Sequence, residues 1–238
     1  MSMQTTIFTA RRLIPVAVVL AGFVGSARAD ELPAPLNEVR LGAYFISYAS
    51  TASDLSGPFT PPGINLRVGD VTTPYLAYLR SVAPHWTLEL AAGVPPTTHT
   101  YGKGPATVGS VPFDGQEVAT AKWFSPSLLL EYKFLDPSRA FQPFVGAGIN
   151  YTRFYDLNST PAGDAANGGP TRITLSSSIG PAATVGASYR ITREISVMAS
   201  YSVAGINSDY RSDTAGVVRT TTVHFNPRTW VAAVGYSF

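Results

Sequence analysis

The last nine residues of the chain, 230–238, alternate between large apolar side chains and mostly small ones. Counting back by twos from the end gives Phe238, Tyr236, Val234, Ala232 and Trp230. Successive side chains of a β-strand point to opposite faces, so one face of this segment is apolar along its whole length. Its aromatic rings lie at the two ends, which is typical of a strand that crosses a bilayer with rings at both interfaces. The alternative is the final strand of a soluble β-sandwich.

The first 29 residues have the features of a secretory signal peptide. The basic pair Arg11-Arg12 precedes an apolar stretch over 13–24, and Ala27-Arg28-Ala29 forms a small-x-small cleavage site. The apolar stretch is shorter than the roughly 20 residues that a spanning helix needs. We therefore predict cleavage of residues 1–29 and a mature chain of one domain, residues 30–238.

Charge is scarce in this chain, at 13% of residues, against roughly 25% in a typical soluble domain. Three of the 17 basic residues lie in the predicted signal peptide, which leaves the remainder close to neutral. This balance gives no support to a nucleic-acid partner. The chain contains no cysteine, which excludes disulfides and thiolate metal sites. Low charge combined with many aromatic residues favours a wall that faces lipid.

Eight strand-like runs follow the signal peptide, and the connections between them alternate between short and long. The runs are 39–50, 70–82, 86–95, 122–134, 141–156, 172–190, 194–206 and 219–238. The long connections are 51–69, 96–121, 157–171 and 207–218. Short turns on one side and long loops on the other are typical of bacterial outer-membrane barrels. The fold class predicted is therefore all-β: an eight-stranded antiparallel transmembrane β-barrel, with periplasmic turns and extracellular loops.

The direction of each side chain follows from its charge, because a charge that faces the bilayer centre costs a few kcal/mol. Charged residues near the periplasmic strand ends should therefore share the lower lumen: Arg40, Arg80, Glu89, Glu131, Lys133, Arg190 and Glu194. Two interpretations stay open, a structural plug of paired charges and a gating or ligand-binding role. Small, hydroxyl and apolar residues are predicted to line the upper lumen: Gly148, Thr152, Ser178, Ser200, Val231 and Ala233.

Three prolines within the strand runs are candidates for a weak seam in the wall. Proline removes a donor from the β-ladder and is normally confined to edges, strand starts and bulges. A closed barrel has no edges, so Pro126, Pro181 and Pro227 should mark bulges or local gaps. Such a gap would let an apolar solute leave sideways into lipid; harmless bulging is the alternative.

The segment 141–156, FQPFVGAGINYTRFYD, resembles a run in the outer membrane protein W family. Residues 88–93 and 125–134 resemble the third and fourth strands of that family. Asn226-Pro227 followed by 234–238 resembles its C-terminal end. The resemblance implies an eight-stranded barrel with a narrow, largely hydrophobic lumen. It also implies passage of small apolar molecules, alkanes among them, with a lateral opening in the wall as the exit.

Three functions are consistent with the sequence. The first is a passive outer-membrane channel for small hydrophobic solutes, and the second is a structural or adhesive barrel with a filled core. The third, a lipid enzyme, has little support, since His85, His99 and His224 are dispersed and form no recognisable triad or metal-ligand spacing. We therefore predict no catalysis and no cofactor.

The expected partners are outer-membrane lipid and lipopolysaccharide, small hydrophobic solutes and the barrel assembly machinery. The last of these follows from the resemblance to bacterial outer-membrane barrels, whose assembly machinery recognises a terminal aromatic strand. Phe238 is the predicted assembly signal.

Overall fold

The structure, a computed structural model, describes residues 36–108 and 111–238. The predicted signal peptide lies outside these residues. In chain order the elements are β1 (Asn37–Tyr48), β2 (Thr51–Ala52), β3 (Asn65–Val68), β4 (Val71–Ala83), β5 (Trp86–Gly93), β6 (Thr97–Lys103), β7 (Thr107–Val108), β8 (Val111–Pro112), β9 (Glu117–Phe124), β10 (Ser127–Lys133), β11 (Phe141–Ser159), α1 (Pro161–Asn167), β12 (Thr171–Leu175), β13 (Ser178–Arg190), β14 (Ile195–Ala204), β15 (Asn207–Thr214), β16 (Val217–His224) and β17 (Pro227–Ser237). No helix in the described part of the chain has the length and apolar character to span a membrane.

Eight of these strands close into a ring, which confirms the predicted barrel. Every neighbouring pair is antiparallel, in the order β1, β4, β5, β10, β11, β13, β14, β17 and back to β1. Each of the eight predicted runs contains one strand of this lower ring. A closed ring pairs the backbone groups of every strand with a neighbour, as a bilayer interior requires.

Side chains of the lower ring alternate as the sequence predicts. On β13, Val185 and Tyr189 are exposed on the outside, whereas Thr184 and Ser188 are buried inside. The same alternation holds on β17, where Trp230 faces out and Val231 faces in. The exposed apolar face of a chain taken alone is the face that a bilayer covers.

The predicted long loops are the main point where sequence reasoning was wrong, because they contain strands. Two sheets continue the wall above the lower ring: β3, β6 and β9 pair onto the upper half of β11, and β12, β15, β16 and β2 form the second sheet. We call these two sheets the upper tier. Within the described residues, every strand of the ring except β11 is interrupted by two or three residues before its continuation in the upper tier.

Apolar side chains fill the space between the two sheets of the upper tier. The cluster comprises Ile46, Ile64, Leu66, Val68, Phe113, Val118, Ala119, Trp123, Phe154, Ile173, Ile206, Tyr210, Val223 and Phe225. Helix α1 packs beside β9, and the Thr160 side chain caps it by accepting a hydrogen bond from the Gly163 N–H at 3.0 Å. The helix follows the end of β11, where no ladder joins β11 to β12 among the described residues.

We call the two ends of the lower ring the turn end and the loop end. At the turn end lie the start of β1, the end of β17 and the connections 84–85, 134–140 and 191–194. The upper tier lies at the loop end. Phe238 closes the ring at the turn end: its N–H donates to the Asn37 carbonyl at 2.9 Å, and Asn37 N–H donates back at 3.2 Å. Its ring is exposed and stacks on Tyr236 with a centroid separation of 6.2 Å.

Candidate functional site in the barrel lumen

A fully buried arginine organises the lumen near the turn end. Arg40 Nε donates to Glu38 Oε1 at 3.0 Å, and Arg40 Nη2 donates to Glu38 Oε2 at 3.3 Å. Arg40 Nη1 lies 3.7 Å from Glu89 Oε2 and 3.9 Å from Glu131 Oε1. We call Glu38, Arg40, Glu89 and Glu131 the charged cluster. The guanidinium also lies over the Phe144 ring, 5.8 Å from its centroid, at cation–π distance.

Two more of the predicted lumen charges lie near the charged cluster without an ion pair to it. Lys133 and Arg190 are half-buried and line a small polar cavity of about 60 Å³ at the turn end, together with Glu38. Arg190 Nη2 donates to the Pro137 carbonyl at 2.7 Å, which anchors the turn over 134–140. These two cations belong to the polar end of the lumen rather than to its centre.

Arg80 and Glu194 were predicted in the lower lumen, and the structure places them elsewhere. Arg80 is exposed on the outer face of β4, where Nη1 donates to Asn37 Oδ1 at 3.1 Å. The inward positions of β4 are Tyr75, Ala77 and Leu79, so the alternation of the strand directs Arg80 outward. Glu194 is exposed in the turn before β14, and its carboxylate accepts from the Thr192 hydroxyl at 3.4 Å.

Glu38 is the member of the charged cluster that sequence reasoning missed. Residues 30–38 were interpreted as a lead-in before the first strand, whereas β1 begins at Asn37. Glu38 lies two residues before Arg40 on the same strand, and residues two apart share a face. The inward assignment of Arg40 therefore already contained the signal for Glu38.

Gly235 makes room for the Glu38 carboxylate. A Cβ at this position would collide with Glu38 Oε1 and with the Ser196 hydroxyl, which itself donates to Glu38 at 2.7 Å. We expect Gly235→Ala to lower the free energy of unfolding by about 1–3 kcal/mol, the usual range for overpacking, because Glu38 must move away from Arg40. Urea unfolding of the refolded protein in lipid measures this. Gly168→Ala is the comparison for backbone freedom alone, since a Cβ there meets no atom within 4 Å while the residue has φ 85°.

A tyrosine pair separates the charged cluster from the space above it. Tyr75 Oη donates to Glu89 Oε1 at 3.0 Å, and the Tyr44 ring packs edge-on against Tyr75 with centroids 4.8 Å apart. Phe144, Met198 and Leu79 are buried in the same part of the ring. Rings, aliphatic side chains and the charged cluster together close the turn end of the lumen.

A cavity of about 90 Å³ lies above this floor, at the loop end of the lower ring. Its walls carry apolar groups such as Ile46, Leu129 and Val231, and polar groups such as Asn150, Thr152 and Ser200. Ser178, Ala233 and Gly148, also predicted to line the upper lumen, lie outside this lining. Ser178 Oγ accepts from the Asn207 N–H at 3.0 Å, Ala233 packs in the apolar layer below, and Gly148 allows β10 and β11 to approach closely.

Two phenylalanines divide this cavity from a smaller one in the upper tier. The rings of Phe154 and Phe225 stack with centroids 5.0 Å apart, and both residues line both cavities. The upper cavity has a volume of about 30 Å³. Neither residue was predicted to line the lumen, although Phe154 lies two residues beyond Thr152 on the inward face of β11. The ring pair therefore forms the narrow point between the two cavities.

The wall of the ring has a gap beside the larger cavity. The β5–β10 ladder ends at Ala91↔Ser127, and the β6–β9 ladder begins at Thr97↔Lys122. Residues 92–96 and 123–126 form no ladder pair with each other. Each margin is held instead by its other neighbour, β4 on one side and β11 on the other.

Three prolines lie along the margins of the gap, and the cavity reaches it. Pro126 was predicted as a seam residue, whereas Pro95 and Pro96 on the opposite margin were not. Gly93, Trp123 and Ser125 line both the gap and the cavity. On the outer face the margins carry the exposed side chains of Val94 and Phe124. The gap therefore lies between the cavity and an apolar part of the outer surface.

The buried side chain of Asn150 stabilises the broken strand at this gap. Its Nδ2 lies 2.9 Å from Ser125 Oγ, 3.0 Å from Ser127 Oγ and 3.2 Å from the Pro126 carbonyl oxygen. Thr152 Oγ1 donates to Asn150 Oδ1 at 2.8 Å, and the Tyr151 N–H donates to the Pro126 carbonyl at 3.0 Å. The polar groups of Ser125, Pro126 and Ser127 are thus bonded from the β11 side.

The other two predicted seam prolines lie in closed wall. The Pro181 carbonyl accepts from the Gly205 N–H at 2.9 Å, and a Cβ on Gly180 would collide with the Gly205 carbonyl, so β13 and β14 are in close contact there. Pro227 begins β17 and pairs with Tyr48 of β1. Ladder pairs between β14 and β17 also stop beside Pro227, but there the Phe225 N–H donates to the Ile206 carbonyl across the break at 2.9 Å. No backbone hydrogen bond of the described residues crosses the break beside Pro126.

The histidines do not converge on a common site. His99 Nδ1 lies 2.9 Å from Glu117 Oε1, and His224 Nδ1 lies 2.6 Å from Asn207 Oδ1; both imidazoles are exposed. His85 Nδ1 lies 2.9 Å from the Lys133 carbonyl in a turn. Within the described residues, no group of three or more His, Asp and Glu side chains is placed to hold a metal ion.

Comparison with known families gives one match that covers most of the chain. The model of the OmpW family matches residues 39–238. Outer membrane protein W of Vibrio cholerae is 29% identical over 143 residues, which cover 60% of this chain and 63% of that protein. Outer membrane protein W of Escherichia coli K12 is 33% identical over 122 residues, which cover 51% of this chain and 57% of that protein. The matched regions thus span about three fifths of these relatives.

Solved structures of outer-membrane proteins share the fold. The crystal structure of OprG from Pseudomonas aeruginosa superposes with a TM-score of 0.77 at 24% identity, over 86% of this chain and 96% of OprG. The structure of AlkL in lipid bilayers gives a TM-score of 0.63 at 16% identity, over 90% and 96% of the two chains. The solution structure of E. coli outer membrane protein W gives 0.54 at 25% identity, over 86% and 98%.

Proposed function

Because this chain belongs to the OmpW family of outer-membrane β-barrels, we propose that it admits small apolar molecules to its lumen and releases them sideways through the gap in its wall. The predicted family and outer-membrane location are confirmed. In the outer membrane the turn end faces the periplasm and the upper tier faces outward.

The observation that carries the proposal is the combination of a closed floor with an open side. Below the cavity, Tyr75 and the charged cluster occupy the lumen, and a solute that continued downward would have to displace buried ion pairs. Beside the cavity, residues 92–96 and 123–126 leave the wall without ladder bonds. The lower-cost exit for an apolar molecule is therefore lateral, toward hydrocarbon, where its transfer from water is favourable.

The position of the gap agrees with release into the outer leaflet. Aromatic side chains on the outer face at the loop end of the ring include Tyr151, Tyr201 and Trp230, the last two with centroids 5.0 Å apart. Such rings mark the level of the lipid headgroups. Tyr151 also donates its N–H to Pro126 at the gap margin, so the gap opens near the outer boundary of the hydrocarbon.

The size of the cavity restricts the solute. A dry protein cavity of about 150 Å³ accepts benzene, and the cavity above Tyr75 measures about 90 Å³. A short alkane or ester therefore enters only when side chains move, and the stacked rings of Phe154 and Phe225 are the first obstacle on the way in.

The second candidate function is a structural or adhesive barrel with a filled core and no transport. The apolar cluster between the two sheets of the upper tier is the specific observation in its favour, since buried side chains occupy the space through which a solute would enter. The two functions differ in one measurable respect, the passage of an apolar solute through the gap.

Cross-linking across the gap tests the proposed function. The natural chain has no cysteine, so Val94→Cys with Phe124→Cys introduces the only two thiols, one on each margin of the gap. A short bifunctional thiol reagent should reduce initial uptake of labelled octane by intact cells to the rate of cells that lack the protein. The rate without the reagent should equal that of the unmodified protein.

The matched control joins two strands where the wall is closed. Ala183 and Val203 are ladder partners on the outer face of β13 and β14, near Pro181. Cysteines at these positions should cross-link without any change in uptake. Loss of uptake in this control alone would move the exit to Pro181, and equal uptake in cells with and without the protein would favour the structural barrel.

A further inference from the structure

A second buried arginine lies in the upper tier, far along the chain from the charged cluster. Arg219 lies on β16 and shares its inward face with Thr221 and Val223. It is 8% exposed, and its Nη1 donates to Asn167 Oδ1 of helix α1 at 3.0 Å. The side chain therefore lies inside the outward-facing mouth of the barrel rather than on its surface.

Arg219 differs from Arg40 in its lack of an acidic partner. Arg40 has three carboxylates within 4.0 Å, whereas no carboxylate of the described residues lies within that distance of Arg219. Asn167 is the acceptor that the described residues provide for its guanidinium. A charge withdrawn from water is normally compensated by an opposite charge or by a full set of hydrogen bonds. No nitrogen of Arg219 is among the fully buried polar atoms without a partner, so its remaining N–H groups reach solvent and are available to an anion.

An unsatisfied hydroxyl faces the same place. Ser212 is the ladder partner of Arg219 on β15, and its Oγ is fully buried and makes no hydrogen bond of ordinary geometry within the described residues, although the Tyr210 hydroxyl lies near it. Side chains of ladder partners lie roughly 5 Å apart. Tyr210 lies two residues along β15; burial raises the pKa of its phenol, and the nearby Ser212 hydroxyl and the positive charge of Arg219 oppose that rise. Guanidinium and hydroxyl together offer donors to one acceptor group.

Apolar surface begins directly below this pair. Tyr210 and Val223, on the inward faces of β15 and β16, line the upper cavity together with Phe225 and Leu66. Two residues along a strand correspond to about 7 Å, so the cavity starts about one strand repeat below Ser212. A donor pair above an apolar cavity matches a molecule with one anionic head and a hydrocarbon tail.

We propose that Arg219 and Ser212 form an entry site for the carboxylate of a monocarboxylic acid with an alkyl chain. The arginine fork matches the two oxygens of a carboxylate, and its single positive charge matches the single negative charge. The Ser212 hydroxyl donates to one carboxylate oxygen, and the alkyl chain lies against Tyr210 and Val223. This inference rests on the proposed function, since the bound acid would continue through the lumen to the gap.

The test compares octanoate with methyl octanoate, which differ in charge but have the same alkyl chain. In detergent micelles free of lipopolysaccharide, we expect Arg219→Met to bind octanoate about tenfold or more weakly than the unmodified protein does. A loss of affinity of this size is typical when a hydrogen bond to a charged group is removed. The variant should lose uptake of octanoate by cells and keep uptake of methyl octanoate. Arg211→Met is the matched control, because Arg211 is exposed on the neighbouring strand and pairs with Asp213 at 3.6 Å; it should change neither.

The outcomes separate this inference from the proposed function. Unchanged octanoate binding in Arg219→Met overturns the entry site and leaves the channel intact. Absence of uptake of both compounds by the unmodified protein overturns the channel, and binding in micelles then still decides the site. If Arg219→Met does not fold, Ser212→Ala and Arg219→Lys replace it. Both variants should weaken octanoate binding. The site would also be refuted if the unmodified protein bound octanoate and methyl octanoate equally well.

Discussion

Arg40→Met is expected to lower the free energy of unfolding by about 3–5 kcal/mol, the cost of removing one partner from a buried ion cluster. The substitution leaves Glu38, Glu89 and Glu131 near one another with no cation within 4.0 Å in the cluster, and Glu131 has no exposed surface. Methionine keeps much of the aliphatic volume, so the effect reports the lost charge rather than a cavity. The measurement is urea unfolding of the refolded barrel in lipid vesicles, followed by tryptophan fluorescence.

Two companion variants decide the interpretation. Arg80→Met removes a cation from the same end of the barrel, but Arg80 is exposed and bonds to Asn37, so its loss should cost less than about 1 kcal/mol. Adding Glu89→Gln and Glu131→Gln to Arg40→Met replaces two of the remaining carboxyl groups by neutral amides and should restore much of the stability. A triple variant as unstable as Arg40→Met would contradict the electrostatic explanation.

Val185→Arg is expected to destabilise the barrel by about 2–4 kcal/mol, the cost of a basic side chain at the bilayer midplane. Val185 lies in the middle of β13, is 52% exposed on the outer face, and pairs with Val145 and Tyr201. Its charged replacement would face hydrocarbon, from which a central position gives little access to the headgroups. The fraction of protein that folds into vesicles, measured by heat-modifiable gel migration, and urea unfolding both report the effect.

Ser188→Arg is the comparison on the same strand. Ser188 faces inward and lines the polar cavity at the turn end with Lys133 and Arg190. A charge there remains in a polar environment, and its cost should be smaller than that of Val185→Arg despite the added repulsion. Equal losses, or a larger loss for Ser188→Arg, would mean that the lipid-facing and lumen-facing sides of β13 have been interchanged.

The lower ring was predictable because lipid imposes one simple rule on it. An outward Val185 beside an inward Thr184 is a consequence of strand alternation, and the penalty for a charge in hydrocarbon fixes which face is which. The same rule placed Arg40, Glu89 and Glu131 together. The prediction for Arg80 was wrong because it depended on the nearness of Arg80 to a strand end. The inward positions of β4 are Tyr75 and Leu79, so alternation directs Arg80 outward.

The upper tier was not predictable by that rule, because both of its outer faces meet water. Strand β15 consists largely of Ser, Asp, Arg and Thr, residues that are also common in loops, whereas most of β16 lies within the predicted run 219–238. Their pairing depends on contacts across the chain, such as Ile173 and Val223 in one apolar cluster, which composition does not reveal. Only one margin of the gap was predictable. Pro126 indicates a missing hydrogen-bond donor, but the opposite margin at 92–96 can be identified only from the register of β5 against β10.

The uninterrupted strand β11 makes the mouth of this barrel exchangeable. Below, it pairs with β10 as far as Asn150 and with β13 as far as Thr152; above, it pairs with β9 from Arg153 onward. The remaining strands of the ring are already divided at that level by junctions of two or three residues. A chimera spliced at these junctions and within β11 would carry the mouth of another family member on an unchanged base. Evolution can then vary the upper tier while the membrane-embedded lower ring stays constant.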